Sequence, residues 1–227
     1  MQSCITLRYN ALRPRKNFVP IVVARSNNSV TGHEKYNVKS WDSYNKWIAR
    51  QPEFDKGRDL VDPYEDIAII KLVNALGEHI KQAFLPYMAQ TDLTGLKVNL
   101  LGVTMSKVMN QGVKIDSYGV LLSEKSLVIM DEVKCLEHLS NDYLGGTTIR
   151  NEVKKGSILC TRGPPTLDEE DTGGVAIAGS DVVVGVNRFS DSSNRKESLI
   201  NYHVNIPMYI KFIKSKVGCG KLHWKKI

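Results

Sequence analysis

Asp171-Thr172-Gly173-Gly174-Val175-Ala176-Ile177-Ala178-Gly179 runs from a charged turn through two glycines into an apolar segment that a further glycine closes. A backbone that only glycine permits can bring its amides up beside the Thr172 hydroxyl, as a nucleophile and its oxyanion donors require. Three readings fit the stretch taken alone: a nucleophile site with an altered nucleophile, a catalytic Asp-Thr-Gly, and a tight turn leading into a buried strand. The rest of the chain decides among them.

The chain has 227 residues, enough to bury one large β domain or two small ones. No apolar run approaches the length a membrane-spanning helix needs. Met1-Gln-Ser-Cys4 is followed by Arg8, Arg13, Arg15 and Lys16 without an apolar stretch, so no signal peptide is readable. The net charge is +7, but Lys and Arg are dispersed apart from Arg13–Lys16 and the tail around Lys225-Lys226. That pattern reads as a solvated face, so neither nucleic acid nor membrane is expected as a partner. Cys4, Cys135, Cys160 and Cys219 contain no C-x-x-C. Cys135 and His138 have a ligand-like spacing, but no second pair completes a tetrahedral set, so no metal is expected. No cofactor is expected either. Asn27-Asn28-Ser29 is a glycosylation sequon if the chain is secreted.

Ile21-Val-Val-Ala24 reads as a strand stopped by a turn cluster, and His33 to about Trp47 as one or two more. A polar, acid-rich loop then delivers Asp66-Ile-Ala-Ile-Ile-Lys-Leu72, an acid at the mouth of a buried strand. Residues 73–92 have helical spacing (Leu72, Leu76, Ile80, Ala83) that Pro86 would end. Residues 96–104 and 120–129 are β-like, and 131–141 hold Cys135 in a short helical stretch. Ser157–Cys160 reads as a strand. The loop after it ends in Asp168, Glu169, Glu170 and Asp171, and Asp181–Asn187 pairs back after the turn at Ala178–Ser180. Ile206, Ile210, Ile213 and Val217 share one face of an amphipathic helix. Many short strands and one closing helix predict an all-β barrel or sandwich.

Together these pieces resemble the chymotrypsin/trypsin-like serine proteases. Asp66-Ile-Ala-Ile-Ile-Lys-Leu72 is similar to the family's Asp-Ile-Ala-Leu-Leu-Lys-Leu, whose Asp orients the catalytic His. Gly95-Leu-Lys-Val-Asn-Leu-Leu-Gly-Val103 resembles the strand reading Gly-x-x-Cys-x-x-x-Gly-Trp-Gly. Cys135 and Cys160 fall where the family joins a short helix to a strand. Asp171-Thr172-Gly173-Gly174 sits in the Gly-Asp-Ser-Gly-Gly-Pro slot, and Val182…Gly185-Val186 matches the strand that walls the substrate pocket. An Asp-Thr-Gly of the aspartic protease kind needs an apolar strand before it, and Asp168-Glu169-Glu170 stand there instead.

The resemblance covers roughly residues 4–217. It implies two antiparallel Greek-key β-barrels and a C-terminal α-helix: a first barrel over about 1–90, incomplete, a second over 91–205, and the helix over 206–217. It places the site in the cleft between the barrels. Cys4 falls in the Cys slot after the catalytic His, with Ser3 in the His slot, so the chain is expected to begin inside the first barrel. A second register puts the His slot near Arg25 or Ser26. Neither register supplies a His.

The triad needs an imidazole to take the hydroxyl proton and an Asp to hold its tautomer. None of His33, His79, His138, His203 and His223 falls in the slot, and all five read as structural or surface residues. Thr172 replaces the Ser, and without a base its hydroxyl is inert. Glu170 stands in the oxyanion Gly slot, where a carboxylate opposes a developing oxyanion. Thr166 stands at the base of the pocket. By resemblance, Cys135 and Cys160 form a disulfide closing a loop of about 25 residues, worth about 3 kcal/mol. That bond implies an oxidising, secreted location.

The expected function is that of a catalytically inactive trypsin-like serine protease homologue, which acts by binding a protein or peptide (protease, substrate or inhibitor) as a cofactor, decoy or regulator of proteolysis, and does so as a monomer. The alternative is an active serine-type endopeptidase, using Asp66 with an unorthodox Thr172 nucleophile or a His carried on a missing N-terminal segment.

Overall fold

In the computed structural model, the described residues are 4–6, 21–25, 33–51, 67–76, 82–87, 92–110, 113–122, 126–139, 146–163, 167, 172–191, 200–217 and 222–227. They divide into two compact units, one of residues 1–83 with 212–221 and one of 84–211 with 222–227.

In the first unit, strands β1 (Cys4–Thr6), β2 (Ile21–Arg25), β3 (His33–Ser43) and β4 (Ala68–Leu72) form an antiparallel sheet in the order β1-β4-β3-β2. The apolar run 67–70 is buried throughout and Leu72 is buried again, as a strand covered on both faces requires. Within 33–47 the expectation was strands alone, but the strand ends at Ser43 and helix α1 (Tyr44–Ile48) follows. Ser43 is its cap: the hydroxyl accepts the Lys46 N–H at 3.3 Å. The Tyr44 N–H donates to the Ile67 carbonyl at 2.9 Å and so ties the helix to the entry of β4. The rings of Tyr44 and Trp47 each lie 5.6 Å from that of Phe212, which is fully buried.

The second unit is built on β6 (Lys97–Asn110), β7 (Val113–Leu122), β8 (Leu127–Val128), β9 (Ile158–Arg162), β10 (Val175–Ala178), β11 (Val182–Asp191) and β12 (Ile200–Asn205). They make one antiparallel sheet in the order β7-β6-β10-β11-β12-β9, with β8 also on β6. Past the end of β8, Ile129 bridges Thr161 of β9, and the Met130 N–H donates to the Cys160 carbonyl at 2.8 Å. The two ends of the sheet thereby meet through β8, giving a nearly closed barrel of β6, β10, β11, β12, β9 and β8. Closure removes the unpaired edges an open sheet would present. Alternation sets the faces: Val98 and Leu100 of β6 and Ala176 and Ala178 of β10 are buried, while their neighbours are not. These four pack with Leu127, Ile129, Leu167, Val182 and Val184.

Helices α2 (Glu132–His138) and α3 (Gly146–Lys154) cover a second core made of Cys135, Leu139, Ile149, Val153, Ile158, Cys160, Ile200 and Tyr202. Asp131 caps α2 by accepting the Lys134 N–H at 2.8 Å. The expected C-terminal helix begins with a single 3-10 turn, Ile206–Tyr209, and continues as α4 (Ile210–Val217). Pro207 is tolerated in that first turn because its missing N–H has no intrahelical partner there.

A second sequence reading is also corrected. The described part of 73–92 is not helical: β5 (Leu85–Pro86) pairs in parallel with β13 (Trp224–Lys225). The Phe84 and Leu85 N–H groups donate to the Asp181 and His223 carbonyls, each at 2.9 Å. Pro86 cannot donate to a helical ladder, and these extended partners satisfy the backbone before it.

Candidate functional site

The Thr172 turn is held from both sides by the residue at the middle of β11. The Gly173 N–H donates to the Asn187 carbonyl at 2.8 Å, and the Asn187 N–H returns to the Gly174 carbonyl at 2.8 Å. Gly173 has φ +89, a left-handed conformation that favours glycine, which accounts for the first glycine of the pair. The half-buried Thr172 donates its hydroxyl proton to the Arg188 carbonyl at 2.7 Å. A hydroxyl has one proton, so this bond occupies the donor that a nucleophile would present to a base.

Asn187 and Arg188 each carry a buried side chain. The Arg188 guanidinium meets Glu152 of α3 at 2.6 Å, with both side chains 2% exposed. Asn187 donates through Nδ2 to the Leu101 carbonyl at 2.9 Å, which leaves Oδ1 as its acceptor toward His203 Nδ1, 3.0 Å away. His203 is buried, and burial pushes its imidazole down to about 3, so the ring is neutral at pH 7. Because Asn187 Oδ1 can only accept, Nδ1 carries the proton and donates. Nε2 then accepts from the Thr161 hydroxyl, 3.0 Å away. Both ring nitrogens are committed, and neither serves Thr172. Close backbone packing accompanies this chain: a Cβ on Gly185 would stand 3.1 Å from His203 Cβ and 3.3 Å from Ala176 Cβ.

Cys135 of α2 and Cys160 of β9 form a disulfide with Cα atoms 5.9 Å apart, as expected. The bond removes Cys135 as a thiolate ligand and dissolves its metal-like spacing with His138. His138 Nε2 lies 3.4 Å from Arg162 Nη1, and the His223 ring packs edge-on against Phe84.

No protein-family model and no curated protein matches the sequence. Solved structures do match. A scabies mite inactivated protease paralogue, S-I1, aligns at TM-score 0.54 with 17% identity, covering 81% of this chain and 68% of its own. Granzyme C aligns at TM-score 0.57 with 15% identity, covering 95% of this chain and 83% of its own. A second scabies mite inactivated paralogue, S-D1, aligns at TM-score 0.54 with 15% identity, covering 83% and 72%. The chain has the chymotrypsin-like fold. Within that fold, the all-β architecture and the Cys135–Cys160 bridge agree with the sequence expectation.

Of the residues expected at a chymotrypsin-like site, Thr172 is described with its hydrogen bond, and Cys135 and Cys160 are brought together. Asp66, Glu170, Thr166, Ser3 and Asp171 lie outside the described residues, as does His79. Sequence reasoning missed the polar chain Thr161–His203–Asn187 and the Arg188–Glu152 pair. The signal available for the first was the alternation Asn201, His203, Asn205 in β12, but only a strand buried on both faces hides such residues, and all six of its residues are buried.

Proposed function

We propose that this chymotrypsin-like chain is a non-catalytic serine protease homologue that acts by binding a protein or peptide, as a cofactor, decoy or regulator of proteolysis. The observation that carries the reading is the Thr172 hydroxyl. Its proton goes to the Arg188 carbonyl at 2.7 Å, whereas acyl transfer needs that proton aimed at a base. The buried imidazole supports the same reading, because His203 is neutral with both nitrogens occupied by Asn187 and Thr161. We assign Asp66 to the triad Asp slot, Thr172 to the nucleophile slot and Glu170 to the oxyanion slot, where its charge opposes a tetrahedral oxyanion. Thr166 takes the pocket base, which provides no carboxylate for an Arg or Lys side chain. Two of the structural neighbours are described as inactivated protease paralogues.

The chain acts outside the cell in this reading. Disulfides persist in oxidising compartments, and no helix among the described residues is long and apolar enough to cross a membrane. The test is exposure of the purified protein to a fluorophosphonate probe and a peptide-substrate library. The expected outcome is neither labelling nor turnover. Labelling at Thr172 that disappears in Thr172→Ala, or turnover abolished by Asp66→Ala, would overturn the proposal.

A further inference from the structure

Arg188 is the extra residue of a β-bulge. In the pairing of β11 with β12, Asn187 stands opposite His203 and Phe189 opposite Tyr202, its neighbour in β12, so Arg188 is skipped. A bulge bends its strand and re-aims the groups of the extra residue. Here both ends of Arg188 are engaged. Its guanidinium reaches Glu152 of α3 at 2.6 Å, with both side chains 2% exposed. Its carbonyl accepts the Thr172 hydroxyl at 2.7 Å. One residue thus joins α3 to the Thr172 turn. Glu152 is itself firmly seated. Ile149 and Val153 of the same helix are buried in the core beneath it, and the Glu152 carbonyl accepts from the Ser157 N–H and the Ser157 hydroxyl, each at 3.0 Å.

The backbone bonds between Asn187 and the two glycines, each at 2.8 Å, hold the turn to β11 but end at Asn187. The direction of the next carbonyl depends on the bulge, and charge ties the bulge to α3. An arginine cannot shed its proton, so a guanidinium deprived of its carboxylate in this interior must move toward water or another acceptor. The bulge is the part of β11 outside the regular ladder, so it yields first. Little movement is needed. A carbonyl oxygen displaced by about 1 Å from its 2.7 Å contact leaves hydrogen-bonding range.

We propose that Glu152 is a positioning residue for the Thr172 turn: by gripping the Arg188 guanidinium it sets the bulge that aims the Arg188 carbonyl at the Thr172 hydroxyl. This rests on the reading of Thr172 as a silent nucleophile slot and adds what keeps it silent. The experiment is urea unfolding of the intact protein with Thr172→Val introduced into three backgrounds: wild type, Glu152→Gln, and Glu152→Met combined with Arg188→Leu. In the wild type, loss of the hydroxyl is expected to lower the folding equilibrium constant about fivefold, the net worth of one hydrogen bond. In the other two backgrounds the same change is expected to cost less than about twofold, because the carbonyl has already turned away. The background without either charge leaves no buried ion unpaired, so it supports the comparison even where Glu152→Gln does not fold. Threonine-methyl NMR reads the turn directly. The Thr172 γ-methyl, assigned by its absence in Thr172→Val, is expected to shift in both backgrounds while that of exposed Thr94 stays in place. An undiminished effect of Thr172→Val in the charge-free background, or a Thr172 methyl that does not move there, would overturn the proposal, since the Asn187 bonds would then suffice. The two readings fail separately: fluorophosphonate labelling of wild-type Thr172 sinks the non-catalytic one, and additive variants sink this one.

Discussion

Acidification below pH 6.5 is expected to destabilise the protein through His203. The folded imidazole is held at about 3 by burial, against 6.5 in the unfolded chain. Above pH 6.5 the ring is neutral in both states and pH has no leverage through it. Below pH 6.5 the unfolded chain binds a proton that the folded chain refuses, so unfolding is favoured as pH falls, by about 1.4 kcal/mol per pH unit. Between pH 6.5 and 5 the loss is about 2 kcal/mol, a large share of a total that is typically about 5–15 kcal/mol. Asp92 and Asp131 have lowered folded values. Their stability is lost only as pH falls through values below the ordinary 3.8, outside this window. The assay is urea unfolding at pH 7, 6 and 5 for the wild type and for His203→Gln, whose slope with pH should flatten by about the His203 contribution. A parallel NMR titration of the wild-type imidazole reads the same quantity without a variant. A His203 resonance titrating near pH 6, or an unchanged slope in His203→Gln, would refute the assignment of a buried neutral ring.

Two further perturbations test the second unit. Glu152→Ala leaves the buried Arg188 guanidinium without its 2.6 Å carboxylate, and a loss of about 3–5 kcal/mol in chemical denaturation is expected. Replacing both partners together, by Met at 152 and Leu at 188, should recover most of that loss, because the buried positive charge is then removed along with its carboxylate. Replacing Cys135 and Cys160 by Ala opens a loop of sequence separation 25 and should lower stability by about 3 kcal/mol, and wild-type protein in reductant should show the same loss.

Some elements were legible because their information is local. The buried run at 67–70, the short helix around Cys135, the hairpin that turns after Ala178, and the Ile206–Ile210–Ile213 face follow from apolar runs, turn residues and helical spacing. Others were illegible because their partners are remote. The segment 73–92 has helical spacing, yet Phe84 and Leu85 take their hydrogen bonds from Asp181 and His223, about a hundred residues or more along the chain. Helix α1 is short enough for a serine cap to decide, and α3 shows itself chiefly through Ile149 and Val153, which need β9 and β12 beneath them.

The sequence by itself determined the all-β class and the hairpin of residues 175–178 with 182–187, since each is carried by local alternation and turn residues, and the resemblance to the chymotrypsin/trypsin-like proteases implied the pairing of Cys135 with Cys160. Tertiary structure alone decided what the Thr172 hydroxyl does. Whether that proton meets a base or a carbonyl depends on the neighbouring strand, and β11 brings it the Arg188 carbonyl at 2.7 Å. It also decided the state of His203, because an imidazole's charge is set by the medium around it. Here that medium is the barrel interior, with Asn187 and Thr161 supplied from two other strands.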